Sequence, residues 1–149
     1  MSTEPLIPYS TTIHVRDTCL CLHAQRAARV LARRFDVAFA PVGLTSGQFS
    51  LLNGLNRPEP PTLGAVARLL AMDRSTVTAN LKPLERKGLV ETTTDARDRR
   101  SRRASLTDAG RAILAEALPI WQREHARLDA DLTDVSTLRS SLNEVAATA

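Results

Sequence analysis

A mainly α-helical chain with one small β-hairpin is the fold this sequence predicts, and three observations predict it. Of 149 residues, 43% are hydrophobic but only 3% aromatic, a composition that favours helices over a sheet sandwich or barrel. Apolar residues recur at spacings of three and four through most of the chain, the period of amphipathic helices. One stretch breaks that period: at residues 89–106 two β-compatible pieces flank a polar, arginine-rich segment, as in a hairpin with a charged tip. The length fits a single folded body with its own core.

Residues 1–16 carry two prolines in their first ten positions and little periodicity, so they read as an arm, disordered or borrowed by a partner subunit. A first helix is expected over residues 17–40, with Leu20, Ala24, Ala27, Leu31 and Ala38 on its apolar face, ending before Pro41 and Gly43. Arg26, Arg29, Arg33 and Arg34 fall mostly off that face. Thr45 and Gln48 form a capping box for a second helix containing Phe49, Leu51, Leu52 and Leu55, which stops at Asn56, Arg57 and Pro58.

Thr62 caps a short third helix running to Leu70, and Asp73 a fourth running to Lys87, with Val77, Leu81 and Leu84 inward and Gly88 as its stop. Pro83 within it removes a backbone donor and predicts a bend or a later start. After the hairpin, Thr107 caps a long helix in which Leu114, Leu118, Trp121, His125, Leu128 and Leu132 form a heptad seam. Such a seam suits packing against another long helix, including one from a second subunit, and Pro119 should kink it. A last helix begins after Asp134, with Val135, Leu138, Leu142 and Val145 on one side. The expected organisation is an arm (1–16), a helical segment (17–44), a unit of short helices and hairpin (45–107) and a C-terminal pair of helices (108–149).

The formal net charge is +4, and its distribution is more informative than its sum. Residues 1–44 hold five basic and three acidic side chains, residues 45–107 eleven and six, and residues 108–149 four and seven. The basic excess sits where a polyanion would be met. No apolar run approaches the roughly 20 residues needed to cross a bilayer, and the first ten residues do not resemble a signal peptide. A cytoplasmic location without membrane contact is expected, and there Cys19 and Cys21 would be reduced thiols.

The order helix, turn, helix, hairpin places two basic elements side by side. A helix fits the major groove of duplex DNA, and arginines on a hairpin reach phosphates or a narrow minor groove. The outward residues of the fourth helix are Arg74, Ser75, Thr76, Thr78, Ala79, Asn80 and Lys82, types that bind base edges, allow close approach or hold phosphates. The wing candidates are Arg97, Asp98, Arg99, Arg100, Arg102 and Arg103. There is no phosphate-cradling glycine loop, no zinc spacing and no nucleophile and base pair, so no catalytic residue, metal or cofactor is assigned and an enzyme is not expected.

The run LLAMDRSTVTANLKPLERKGLVETTTDARDRRSRRASLTDAG, residues 69–110, resembles the recognition helix, the wing with its Asp-x-Arg element and the Leu-Thr-x-x-Gly helix start of the MarR family. The likeness extends over about residues 17–147 and is strongest at residues 63–110. It implies that Asp98 orients wing arginines and that Arg100 supports or makes the DNA contact. For the whole it implies a dimer built by the terminal helices of both chains, an inverted-repeat operator, repression, and release by a small aromatic or anionic molecule.

For the sensing part, Arg16, His23, Arg29, Trp121 and His125 are candidate pocket residues. The segment CLCLH, residues 19–23, is a poor metal site, because residues two apart on a helix point about 200° apart. The same geometry disfavours a Cys19–Cys21 disulfide unless the segment unwinds. Cys21 matches the reactive cysteine of the family's hydroperoxide-sensing branch, but Gln25 and Phe35 stand where that branch has tyrosines. Three functions follow for testing: a ligand-released repressor, a thiol-based redox switch using Cys21, and an effector-free architectural DNA-binding protein.

Overall fold

The structure, a computed structural model, describes residues 6–149. Its elements are α1 (Tyr9–Thr18), α2 (Leu20–Phe39), a 3-10 turn (Ala40–Val42), α3 (Ser46–Leu55), α4 (Leu63–Leu70), α5 (Arg74–Arg86), β1 (Val90–Thr94), β2 (Arg102–Leu106), α6 (Asp108–Asp131) and α7 (Val135–Ala146). The two strands pair antiparallel, from Val90 opposite Leu106 to Thr94 opposite Arg102.

Helix starts follow the capping chemistry. Thr45 and Gln48 make both bonds of the capping box, and the side chains of Thr62, Thr107 and Asp134 accept the N–H groups of Ala65, Gly110 and Thr137. Asp73 occupies the N-cap of α5 without a side-chain bond. Of the bend or later start expected from Pro83, the later start does not occur: α5 is helical from Arg74 to Arg86 with the proline inside it.

The N-terminal reading needs correction. Residues 9–16 of the expected arm are helical, and the expected helix at 17–40 is two helices broken at Cys19. Cys19 is extended, with φ −70° and ψ 109°, and its sulfur accepts the Leu22 N–H at 3.5 Å, as an N-cap serine would. Residues 1–5 of the arm lie outside the described residues.

The apolar face of α2 is covered only over its C-terminal half. Leu20, Ala24 and Ala27 are exposed, whereas Leu31, Phe35 and Phe39 turn inward at helical spacing. Phe39 is fully buried and stacks on Phe49 at 4.6 Å between ring centroids. Around it Leu52, Val66, Val77, Leu81 and Leu84 join α3, α4 and α5 into one core. The heptad seam of α6 is used largely within the chain. Leu114 is buried and Trp121, His125 and Leu128 are half-buried, while Leu118 and Leu132 are exposed. Arg34 on α2 ties this seam down by pairing with Glu124 and Asp131 of α6.

Candidate nucleic-acid interface

The helix-turn-helix is anchored by one face of α5. Val77, Leu81 and Leu84 are buried, a three- and four-residue rhythm that fixes the rotation of the helix. The seven outward candidates, Arg74, Ser75, Thr76, Thr78, Ala79, Asn80 and Lys82, are all exposed. Thr78 donates its hydroxyl hydrogen to the Arg74 carbonyl at 3.0 Å. Asn80 lies on the flank toward the body of the protein, where its amide approaches the Met72 sulfur at 3.9 Å.

The turn between the helices closes at Ala71, which has φ 51° and is the one non-glycine residue with positive φ among the described residues. Its N–H and that of Met72 return to the carbonyls of Arg68 and Ala67, satisfying the open end of α4. This tight return sets α5 against α4.

The wing is built by side chains that hold its backbone. Asp98 Oδ1 accepts the Arg100 N–H at 3.0 Å, and the Ser101 N–H donates to the Asp98 carbonyl at 2.9 Å. Asp98 thus shapes the turn on which Arg99 and Arg100 stand. The side chains of Arg97, Arg99 and Arg100 are exposed and make no hydrogen bond or ion pair among the described residues. Arg102 and Arg103 are different. Arg102 donates to the Thr92 hydroxyl at 2.6 Å across the hairpin, and Arg103 pairs with Asp95 at 3.2 Å and donates to the Pro60 carbonyl at 2.6 Å.

Asp95 is the residue that sequence reasoning missed. It is buried, and the Arg103 guanidinium together with the Arg97 N–H holds its carboxyl below the usual range. Its signal in the sequence was an acidic residue opening an otherwise arginine-rich tip.

The pocket candidates divide. Trp121 and His125 come together, with ring centroids 4.9 Å apart, in the wall of a cavity of about 260 Å³ beside Phe35. His23 borders a separate groove of about 490 Å³ with Arg26 and Leu138. Arg16 and Arg29 are not brought to Trp121. Arg16 pairs with its neighbour Asp17, and Arg29 donates to Gln25. A further cavity of about 370 Å³ lies between α2, α3 and α5, lined by Leu31, Phe35, Ser50, Leu70, Met72 and Asn80 among others. No helix among the described residues is long and apolar enough to cross a membrane.

Comparison with known proteins agrees with this geometry. A family model described as MarR family matches residues 42–101. The DNA-bound crystal structure of the M. tuberculosis transcriptional regulator MOSR is 35% identical, covers 87% of this chain and 95% of its own, and has a TM-score of 0.81. CouR from Rhodococcus jostii RHA1, bound to p-coumaroyl-CoA, is 25% identical, with 87% and 93% coverage and a TM-score of 0.74. The transcriptional activatory protein BadR of Rhodopseudomonas palustris is 34% identical over 91 residues, 59% of this chain. The chain spans about half of that relative's length, 52%.

Proposed function

The chain belongs to the MarR family of winged-helix transcription regulators, and from that premise we propose a homodimeric repressor that binds an inverted-repeat operator and is released by a small ligand. One observation carries the reading: α5 exposes a polar face, and the hairpin that follows it exposes three wing arginines, Arg97, Arg99 and Arg100, whose side chains make no hydrogen bond or ion pair among the described residues. A two-fold dimer carries two such faces about one DNA turn apart, roughly 34 Å, which is why the operator should be palindromic. A protein seated across a promoter represses by occlusion. It acts in the cytoplasm, where it meets duplex DNA.

The dimer is supported by what the terminal helices leave uncovered. Neither α1 nor α7 buries a residue, and Leu138, Leu142 and Val145 of α7 are exposed together with Val15, Leu20 and Val30. Apolar side chains at that density are usually covered by a partner. The ligand reading is supported by the cavity between α2, α3 and α5, whose wall includes Asn80 of the recognition helix. An aromatic effector fits its apolar lining, and an anionic group would be met at the Arg26 and His23 groove.

A shift assay with the gene's own upstream DNA tests the proposal, followed by a screen for small molecules that release it. Equal affinity for random duplex would favour the architectural alternative instead.

A redox-switch reading is favoured by the break at Cys19. Because Cys19 is extended rather than helical, the objection that residues two apart on a helix diverge does not apply to Cys19 and Cys21. Cys21 is exposed and receives the Gln25 amide N–H at 3.4 Å. Peroxide would take two electrons and two protons from the thiols, forming a disulfide and water. It should then abolish operator binding in the wild type and not in Cys21→Ser, and insensitivity of the wild type rejects this reading.

A further inference from the structure

We propose that Asp95 and Arg103 are a positioning pair that locks the wing to the linker before α4, and that Arg103 is not a DNA contact. The inference rests on the DNA-binding reading above and changes which arginines perform it.

Arg103 joins three pieces of chain. It stands on β2, its Nε meets Asp95 Oδ1 at the start of the wing tip at 3.2 Å, and its Nη1 donates to the Pro60 carbonyl at 2.6 Å. The backbone repeats the connection: the Ala104 N–H donates to the Pro61 carbonyl at 3.1 Å, and Thr62 forms an isolated antiparallel bridge with Arg103. The linker therefore lies along the edge of β2 that β1 leaves open. Thr62 in turn caps α4 through the Ala65 N–H at 3.1 Å. An unbroken series of bonds runs from the wing tip to the first helix of the helix-turn-helix.

Asp95 is the only buried charged residue among the described residues. A carboxylate beside a phosphate-binding surface opposes binding unless it is neutralised, and here Arg103 neutralises it while the Arg97 N–H fills the same oxygen at 3.2 Å. Only 30% of the Arg103 side chain is exposed, and two of its donors are committed. Turning it into a groove would break both bonds and strand the carboxylate. The side chains of Arg97, Arg99 and Arg100 carry no such commitment among the described residues. They are left to meet phosphates, on a wing whose height and angle the pair sets.

The test titrates operator binding over a range of salt concentrations for Asp95→Asn, Arg103→Gln, Arg103→Lys and Arg100→Ala. Amide exchange of the DNA-free proteins is followed at residues 95–104. Asp95→Asn should weaken binding about tenfold, although it removes a negative charge from the DNA side, with the salt slope of the wild type. Arg103→Gln should do the same, Arg103→Lys should recover part of the loss, and the double variant should be no weaker than either single one. Arg100→Ala is the comparator, with a slope lower by about one. In both Asp95→Asn and Arg103→Gln, exchange should rise at the wing while the melting temperature of the body is retained.

Tighter binding by Asp95→Asn, or an Arg103→Gln slope that falls as in Arg100→Ala, overturns the proposal. If the wild type shows no preference for its upstream DNA, the sequence-specific reading fails. The clamp is then judged on amide exchange alone, and unchanged exchange in both variants overturns it.

Discussion

The Cα of Gly110 lies so close to the carbonyl oxygen of Leu89 that any side chain at position 110 would overlap that oxygen. The same carbonyl accepts the Thr107 N–H at 3.1 Å, and Thr107 caps α6 by accepting the Gly110 N–H. The first turn of α6 is thereby pressed onto the chain entering β1. Gly110→Ala should lower stability by about 1–3 kcal/mol through overpacking against backbone. Denaturant midpoints check this, and an unchanged midpoint contradicts it.

Ala71 holds a left-handed conformation that costs an L-residue roughly 1–2 kcal/mol. Glycine avoids this cost, although its freer unfolded chain offsets part of the gain. Ala71→Gly should therefore raise stability by about 0.5–1 kcal/mol. A fall on thermal or chemical denaturation would mean that the alanine methyl makes a packing contribution larger than the strain.

Arg100 stands on the turn held by Asp98, and its side chain makes no hydrogen bond or ion pair among the described residues. Arg100→Ala should weaken binding to specific and random duplexes alike and lower the salt slope by about one. A changed sequence preference with an unchanged slope would show instead that Arg100 reads bases.

Leu138 and Leu142 are exposed on one side of α7, a helix that buries nothing in the single chain. Leu142→Glu should leave the helix content intact, yield a monomeric mass at micromolar concentration and abolish operator binding. A variant that remains dimeric would place the interface elsewhere.

Glu124 is held below the usual carboxylate range, chiefly by the Arg34 guanidinium that donates to it and against the opposing effect of burial. A lowered folded-state value means that its stabilisation is present above the unfolded value of about 4.3 and is lost as pH falls through the folded one. Glu124→Gln should be less stable than the wild type near neutrality, and the difference should shrink as pH falls below about 4.3. Urea midpoints measured at each pH decide it, and two curves that fall in parallel refute it.

What the sequence made legible follows the range of the interaction involved. Caps at Thr45, Thr62, Thr107 and Asp134 are set within three residues, and all four form. The buried face of α5 repeats within the helix and was equally readable. The break at Cys19 was not, because a thiol capping a helix has the same letter as a thiol inside one. Phe35 and Phe39 extend the Leu31 stripe toward the C-terminal end of α2, and only contact with α3 and α6 decides that this half of the helix is covered and the Ala24 and Ala27 half is not. Arg103 illustrates the deepest limit. It belongs to the same arginine run as Arg100, and only folding brings Asp95 and Pro60 to one of them and not the other.

Trp121 is the chain's single tryptophan, and it forms part of the wall of two cavities, one toward Phe49, Asn53 and Leu69 and the other toward Phe35 and His125. Its intrinsic fluorescence is therefore a built-in reporter of one place, the junction where α6 meets the DNA-binding unit. Emission changes would register a ligand entering either cavity or a shift of that junction. A wing that swings freely would leave the same emission almost unaltered, so unfolding curves recorded by fluorescence alone would overlook it.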